Sequence, residues 1–323
     1  MSSRTLIILN NSAARTRRAW PRIKDQLTAA GIRFDIHETL ATGDATTAAR
    51  LAISQGFRTL AVVGGDGTIG ETAEGFFDLE TSKAGGPTPL EQDAVLAILP
   101  AGTGDDFARG LINERASTET WTNRLIAYIK SPDPGHTKLL DVVFGRIDGN
   151  PRGFIFVNVA TLGIGPDVVA TVSAQAGIVK RMSGEVRFIA AACKALTVWR
   201  ERNLLITIDD GPTLECSSNL VVVANSVYAG GGMMFAPSAK TDDGMLDLLI
   251  AGDLGRIGIA RELPRIRNGG HLANPKVKIF TCRRVRIENK SSYDALLIEA
   301  DGNLRGQTPV EFTVIPSSLR VVI

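Results

Sequence analysis

The chain has 323 residues, 44% of them apolar and 22% charged, and this is the composition of an ordinary globular protein. Its length exceeds what one compact core usually holds, so we expect two domains. A formal net charge of only +2 means that any attraction to an anionic partner must come from local clusters of charge.

Strands and helices alternate through the first 130 residues. Two helices are predicted: one has Trp20, Ile23 and Leu27 on one face and ends at Gly31, and the other begins with Asp44 as its N-cap. Apolar runs separated by such helices predict a parallel sheet with ligands at the carboxyl ends of its strands. The four predicted strands are Thr5–Asn10, Arg33–Thr39, Arg58–Val63 and Ala94–Pro100.

The pattern changes near Ser131–Thr137, where Pro and Gly cluster, so we predict an α/β domain at 1–135 and a second domain at 136–323. Short strands with Asp-Gly hairpin signals make the second domain a mostly antiparallel β-sandwich. Two helical patterns interrupt it, at Glu185–Glu201 and Arg256–Arg267. The last strand, Ser317–Ile323, either stays in the second domain or returns to the first.

Two glycine-rich loops follow predicted strands of the first domain. Gly64–Thr68 reads GGDGT, and Leu99–Gly110 reads LPAGTGDDFARG. Such loops place backbone N–H groups around phosphate, yet neither has the lysine of a Walker A loop or the spacing of a dinucleotide fingerprint. Asp66 and Asp106 would repel phosphate unless Mg²⁺ bridged them, so the pair of loops predicts a metal–nucleotide complex.

These loops, Asn10 and three later blocks together resemble the diacylglycerol kinase catalytic domain of bacterial soluble lipid kinases, which sphingosine kinases share. The later blocks are GIGPDVV at Gly163–Val169, the segment Asn225–Ile250, and EADGN at Glu299–Asn303. The GGDGT loop alone is less specific, because NAD kinases and phosphofructokinases carry similar loops. The order of all the blocks over almost the whole chain carries the resemblance.

The resemblance implies ATP-dependent phosphorylation of a lipid hydroxyl in a cleft between an NAD kinase-like or phosphofructokinase-like α/β domain and a β-sandwich. It implies a metal site formed by Asp243 and the backbone carbonyls of Lys240 and Met245. It also implies that Asp66 and Asp106 lie beside the phosphates and Mg²⁺. The residues implied to contact the nucleotide are Asn10, Thr39, Gly64, Gly65, Asp66, Gly67, Thr68, Ile69, Gly70, Gly102, Thr103 and Asp106.

The chain departs from the family pattern at its expected proton acceptor. The family has a short Asp-Gly-Glu sequence, whereas this chain reads Asp301-Gly302-Asn303, and an amide cannot accept a proton. Either Asp66 or Asp301 is then the base, or catalysis is impaired. Because phosphoryl transfer depends mostly on positioning and charge neutralisation, a weak base is compatible with activity. Asp105 and Gly70 also stand where asparagines are usual.

Two other functions stay open beside a lipid kinase for diacylglycerol, phosphatidylglycerol or a sphingoid base. An NAD kinase shares GGDGT, although no glycine-rich NAD motif occurs in the second domain. A nucleotide-gated lipid-binding regulator would explain Asn303 as lost catalysis. Nucleic acid is not an expected partner, because aromatic residues make up only 6% of the chain and there is no binding-module signature.

Localisation is predicted from what the sequence lacks and from two basic clusters. Three scattered cysteines give no disulfide framework or metal spacing, and no apolar stretch has the length of a membrane span or a signal-peptide core. A cytoplasmic protein is therefore expected. Basic residues at 15–24 and 256–278 suggest peripheral contact with the anionic inner face of the membrane. Dimerisation through the second domain is compatible with the sequence, but no pattern requires it.

Overall fold

The structure is a computed structural model that describes residues 4–83, 86–166 and 200–323. The first part of the chain alternates strands and helices as predicted. Its elements are β1 (Thr5–Leu9), α1 (Ala14–Ala29), β2 (Phe34–Glu38), α2 (Asp44–Ser54), β3 (Thr59–Gly64), α3 (Asp66–Glu74), β4 (Phe77–Lys83), β5 (Gly86–Pro89), β6 (Val95–Pro100), α4 (Asp106–Ile112) and α5 (Thr118–Lys130).

The second part, within the described residues, is mostly strands. Its elements are β7 (Thr137–Ile147), β8 (Phe154–Phe156), β9 (Val159–Gly163), β10 (Arg202–Ile208), β11 (Thr213–Ser218), β12 (Leu220–Ala224), β13 (Tyr228–Ala229), β14 (Met233–Met234), β15 (Leu246–Ala251), α6 (Arg256–Ile266), β16 (Val277–Cys282), β17 (Arg284–Asn289), β18 (Leu297–Ala300), β19 (Asn303–Gln307) and β20 (Val310–Val322). Most of the predicted helix Glu185–Glu201 lies outside the described residues, as do the last three residues of the block Gly163–Val169.

The parallel sheet of the first part runs in the order β2-β1-β3-β6. Strands β1, β3 and β6 are buried along their whole length, which is why they read as continuous apolar runs. Helix α1 packs on this sheet through Ile23 and Leu27, both buried as its 3.6-residue period predicts. The carboxyl ends of β3 and β6 therefore lie side by side, and both glycine-rich loops begin there.

Two local predictions were wrong or incomplete. Asp44 is not the N-cap of α2, because Gly43 holds that position with φ +84° and Asp44 is the first helical residue. Its carboxylate instead accepts the N–H of Leu40 at 2.8 Å and contacts His37 Nε2 at 3.2 Å. The sequence analysis also missed the β4–β5 hairpin, which follows α3 directly.

Strand β20 joins the two parts of the chain. Its early residues pair antiparallel with β7 and β17, and after a register shift between Ile315 and Leu319 its end pairs parallel with β6. The last strand thus returns to the sheet of the first domain. Because β20 belongs to both parts, the boundary at residue 135 stays a prediction, although the change from helix to strand occurs between Lys130 and Thr137.

The second part is a sandwich of two sheets, as predicted. One sheet is antiparallel and has the order β16-β15-β12-β9-β18-β19. It packs against the extension of the first sheet formed by β7, β8, β10, β11, β17 and β20, and a single apolar core contains residues of both. No helix within the described ranges is both long enough and apolar enough to cross a bilayer.

Candidate active site at the two glycine loops

The two glycine-rich loops touch each other backbone to backbone. Gly64, the last residue of β3, pairs with Pro100 of β6, and the N–H of Ala101 donates to the carbonyl of Gly64 at 2.9 Å. A Cβ atom on Gly102 would lie only 2.5 Å from the Cα of Gly65. Glycine is therefore required at Gly102 by close approach of the neighbouring loop.

Asp66 reaches from the first loop to the second. Its carboxylate oxygens accept the backbone N–H groups of Asp106 at 3.2 Å and of Phe107 at 3.0 Å, so Asp66 caps the start of α4. Burial, and secondarily the charge of Asp106, raises the pKa of Asp66 to about 7 despite these two hydrogen bonds. The Asp66 carboxylate thus joins the two loops, and its pKa lies near neutral pH.

Asp106 has one satisfied and one unsatisfied carboxylate oxygen. Its Oδ2 accepts the N–H of Gly231 at 2.7 Å, whereas its Oδ1 is buried and has no hydrogen-bond partner among the residues that the structure describes. Burial raises its pKa. An unpaired buried carboxylate oxygen beside a second carboxylate is a suitable ligand for a hard cation such as Mg²⁺.

Asp105 and Arg15 hold the second loop, and neither was among the predicted site residues. Asp105 has φ +52°, a conformation that aspartate tolerates better than most residues, and its Oδ1 accepts the N–H of Gly102 at 2.8 Å. Arg15 donates to the carbonyls of Gly102 at 2.9 Å and Thr103 at 3.3 Å. Arg15 belongs to the basic cluster at residues 15–24 that the sequence shows. Its bonds to Gly102 and Thr103 join residues far apart in the chain, so no local spacing predicts them.

Asn10 joins the first loop through a side-chain contact. Its amide donates to Thr68 Oγ1 at 2.9 Å, and its own oxygen accepts the hydroxyl of Ser12 at 2.6 Å. Thr39 lies at the end of the neighbouring strand β2, where its N–H donates to the carbonyl of Leu9 at 2.9 Å. These residues follow β1 and β2, so they lie at the same edge of the sheet as the loops.

The turn Asp301-Gly302-Asn303 approaches α3 from the second part of the chain. Asp301 is only 3% exposed, and its carboxylate accepts three backbone N–H groups, those of Val157, Asn158 and Val159, at 2.8 to 3.2 Å. Burial raises its pKa to about 6 against the effect of these bonds. The Asn303 amide donates to the carbonyl of Gly67 at 3.2 Å, so the turn lies directly on α3.

Ile69 and Gly70 are buried in α3, and their contact with the nucleotide stays a prediction. The structure therefore brings together Asn10, Gly64–Gly70, Gly102, Asp106 and the Asp301–Asn303 turn. The proposed second metal group lies on another turn. Asp243 is exposed there and accepts the N–H of Met245 at 3.1 Å, and Lys240 is exposed as well. Clusters of three or more His, Cys, Asp or Glu ligands are absent from the described ranges.

Two family sequence models match the chain. Residues 4–133 match the diacylglycerol kinase catalytic domain, and residues 160–323 match the YegS C-terminal NAD kinase beta sandwich-like domain. The second model covers just over half of the chain, so the chain belongs to the family of the YegS C-terminal domain, and its first part matches the diacylglycerol kinase catalytic domain. Together the two matches make it a kinase that transfers phosphate to a lipid hydroxyl, and this confirms the predicted enzyme class and the predicted fold.

Individual relatives agree with this assignment. A protein of Bacillus subtilis named diacylglycerol kinase is 26% identical over 322 residues, which cover 99% of this chain and 96% of the relative. A Pseudomonas aeruginosa protein named "Probable lipid kinase YegS-like" is 29% identical over 299 residues, 90% of this chain and 85% of the relative. The crystal structure of a diacylglycerol kinase from Bacillus anthracis has a TM-score of 0.67 at 21% identity, covering 99% of this chain and 96% of that chain, and so supports the fold.

Proposed function

We propose that this lipid kinase uses MgATP and phosphorylates a diacylglycerol-like alcohol. The observation that supports this most is the pair of glycine loops in backbone contact, with Asp66 reaching from one to the other. The name of the Bacillus subtilis relative favours diacylglycerol over phosphatidylglycerol or a sphingoid base. The lipid hydroxyl would approach from the side of the β-sandwich, where the Asp301–Asn303 turn meets α3.

The triphosphate would lie along the loops Gly64–Thr68 and Gly102–Thr103. The N–H groups of Gly102 and Thr68 are already bonded to Asp105 Oδ1 and to the Gly65 carbonyl, so other N–H groups of the two loops would contact the phosphates. Helix α3 begins at Asp66 without a side-chain cap, so the N–H groups of its first turn and the positive end of its dipole face the loop. Thr39 and Asn10 lie at the same strand ends and would complete the nucleotide contacts. The loops need no lysine if these N–H groups and a cation supply the positive charge.

Asp106 would hold Mg²⁺ in this site, with Asp66 beside the ion and the phosphates. The Oδ1 of Asp106 has no hydrogen-bond partner among the described residues, and burial raises the pKa values of both carboxyl groups. A bound cation would pair with that oxygen and offset the negative charge of the two carboxylates. When bound, Mg²⁺ would neutralise charge that develops on the transferred phosphate. Asp243, with the carbonyls of Lys240 and Met245, would hold a second ion that shapes the turn before β15.

Asp66 is the better candidate for the base. Asp301 is only 3% exposed and its carboxylate accepts three backbone N–H groups, whereas the Asp66 carboxylate accepts two and is partly exposed at the loop surface. With a pKa of about 7, a large fraction of Asp66 can accept a proton from the lipid hydroxyl at neutral pH. Asn303 supports the alternative of a catalytically impaired nucleotide- and lipid-binding regulator, because its amide only holds Gly67.

A phosphorylation assay with radiolabelled ATP tests this proposal. Purified protein is given mixed micelles of diacylglycerol, phosphatidylglycerol or a sphingoid base, and NAD in a parallel reaction. We expect labelled phosphatidic acid, and a rate lower by about 10²–10⁴-fold for Asp66→Asn. The exposed variant Asp25→Asn is the matched control. Labelled NAD would contradict the proposal, and nucleotide binding without any labelled product would favour the regulator.

The protein would also bind an anionic membrane surface peripherally. Helix α6 supports this, since Arg256, Arg261, Arg265 and Arg267 are exposed along it or just after it. Ile257 on the same helix is 78% exposed, an apolar side chain that a lipid interface would cover. A cytoplasmic location at the inner membrane face, and dimerisation through the second domain, stay predictions.

A further inference from the structure

One face of α3 lies on the hairpin formed by β18 and β19. Three residues of α3 at positions i, i+3 and i+7, namely Gly67, Gly70 and Glu74, form this face. Each meets a different residue of the hairpin: Gly67 meets Asn303, Gly70 meets Asp301, and Glu74 meets Arg305. The hairpin thus follows α3 from its first turn to its last residue.

The two glycines allow the hairpin to approach closely. A Cβ atom on Gly70 would lie 2.6 Å from Asp301 Oδ2 and 2.7 Å from Asp301 Cβ, and one on Gly67 would lie 3.3 Å from the Asp301 carbonyl oxygen. Contacts under 3.0 Å cannot be accommodated without movement of the helix or the turn. The position of α3 is therefore coupled to the position of the hairpin.

An ion pair between Arg305 and Glu74 joins the hairpin to the last residue of α3. Arg305 Nη1 donates to Glu74 Oε2 at 2.9 Å, and the two side chains are 14% and 10% exposed. The same Glu74 oxygen accepts the N–H of Ile155 at 3.3 Å, and the Arg305 guanidinium lies 5.3 Å from the ring centre of Phe154. Removing Arg305 leaves the buried Glu74 carboxylate without its counter-ion.

We propose that the Glu74–Arg305 ion pair is a positioning device for phosphoryl transfer: it fixes the hairpin on α3 and thereby aligns the phosphate loop with the lipid-binding half. This inference rests on the proposed function for its catalytic readout. Neither residue touches the nucleotide site directly, so both are positioning residues. Because the pair joins elements 231 residues apart in sequence, no local motif contains it.

The test compares Arg305→Met with two related variants. Arg305→Lys keeps the charge, and the double variant Glu74→Met/Arg305→Met removes both charges and guards against misfolding caused by an unpaired carboxylate. Arg286→Met is the control, because Arg286 lies on β17 and its ion pairs, with Asp148 and Glu288, do not involve α3. Each protein is assayed with ATP and diacylglycerol micelles for kcat and for the KM of ATP, well below its melting temperature.

We expect kcat to fall about 10-fold in Arg305→Met while the KM of ATP changes less than about 3-fold, because loop alignment is lost but the N–H groups remain. Arg305→Lys should recover part of kcat, and Arg286→Met should match the original protein. A lower melting temperature with unchanged kcat would overturn the inference. An inactive original protein would overturn the proposed function instead.

Amide hydrogen exchange of residues 64–74 then tests the inference independently of activity. Faster exchange in Arg305→Met and in the double variant, but not in Arg286→Met, supports the positioning role. Exchange that stays unchanged in α3 while the rest of the protein remains folded contradicts it.

Discussion

Asn303 occupies the position where the family pattern has a carboxylate, and the structure gives its side chain a different contact. The amide donates to the carbonyl of Gly67, a bond that a carboxylate could not form. We therefore expect Asn303→Glu to lower the rate of lipid phosphorylation severalfold rather than raise it, since it would place a charge against a carbonyl at the start of α3. The assay is initial rate at saturating ATP, with Asn303→Gln as control.

A rate that rises tenfold or more in Asn303→Glu would mean that the native site lacks its base, and would assign the proton acceptor to position 303 instead of Asp66. Asn303→Gln separates the effect of a longer side chain from the combined loss of the donor and gain of charge, because glutamine keeps the amide.

Ionisation of the buried Glu299 carboxyl lowers the free energy of unfolding. Its Oε2 accepts the hydroxyl of Thr161 at 2.7 Å and its other oxygen accepts the N–H of Gly302, yet burial raises its pKa to about 7. The folded protein therefore holds a proton that the unfolded chain has released above about pH 4.5. This contribution to stability is complete below that pH and is lost as the pH rises through about 7.

We expect Glu299→Gln to make the free energy of unfolding less dependent on pH between 5 and 8, because glutamine cannot ionise and can still bond Thr161. Urea titrations at both pH values measure this, and Glu114→Gln, an exposed position, is the matched control. If Glu299→Gln loses as much stability from pH 5 to pH 8 as the original protein does, the assignment of the slope to Glu299 is wrong.

At the scale of elements, the packing of α3 against the β18–β19 hairpin depends on Gly70. We expect Gly70→Ala to destabilise the protein by about 1–3 kcal/mol, because the new methyl group would overlap Asp301 and force α3 from the hairpin. In α6, Gly258→Ala is the matched control, since its added methyl would meet only Leu254 at an ordinary 3.4 Å and alanine is the better helix former. Equal urea midpoints for both variants would contradict this account of the contact.

The elements that the sequence predicts well are those with a local signal. Buried parallel strands such as β3 and β6 appear as apolar runs, and the loops after them follow from their glycines. Contacts between distant residues have no such signal: Asp66 capping α4, Arg15 on the second loop and Glu74 paired with Arg305 all join separate elements. The β4–β5 hairpin was missed because β5 reads GPTP, and two prolines in four residues argue against a strand.

Over the whole molecule, β20 makes one continuous sheet from both parts of the chain, so the glycine loops and the β-sandwich are joined through that sheet. The basic helix α6 belongs to the second part of the chain, which would face the membrane. We expect Arg256→Gln with Arg261→Gln to weaken binding to phosphatidylglycerol vesicles about 30-fold, at ~1 kcal/mol for each charge. Sedimentation with vesicles measures this, and binding should fall as salt rises.

The control for this prediction is Arg33→Gln with Arg152→Gln, two exposed arginines that lie outside α6. Neutral phosphatidylcholine vesicles should bind the original protein weakly. Equal loss of binding in both double variants would mean that net charge, rather than the α6 surface, governs attachment.

The central claim concerns where the triphosphate lies, and a crystal structure with a nonhydrolysable ATP analogue and Mg²⁺ tests it most directly. We expect the β- and γ-phosphates between Gly64–Thr68 and Gly102–Thr103, with the cation bound to a carboxylate oxygen of Asp66 or Asp106. A triphosphate bound elsewhere, with both glycine loops unliganded, would contradict the account.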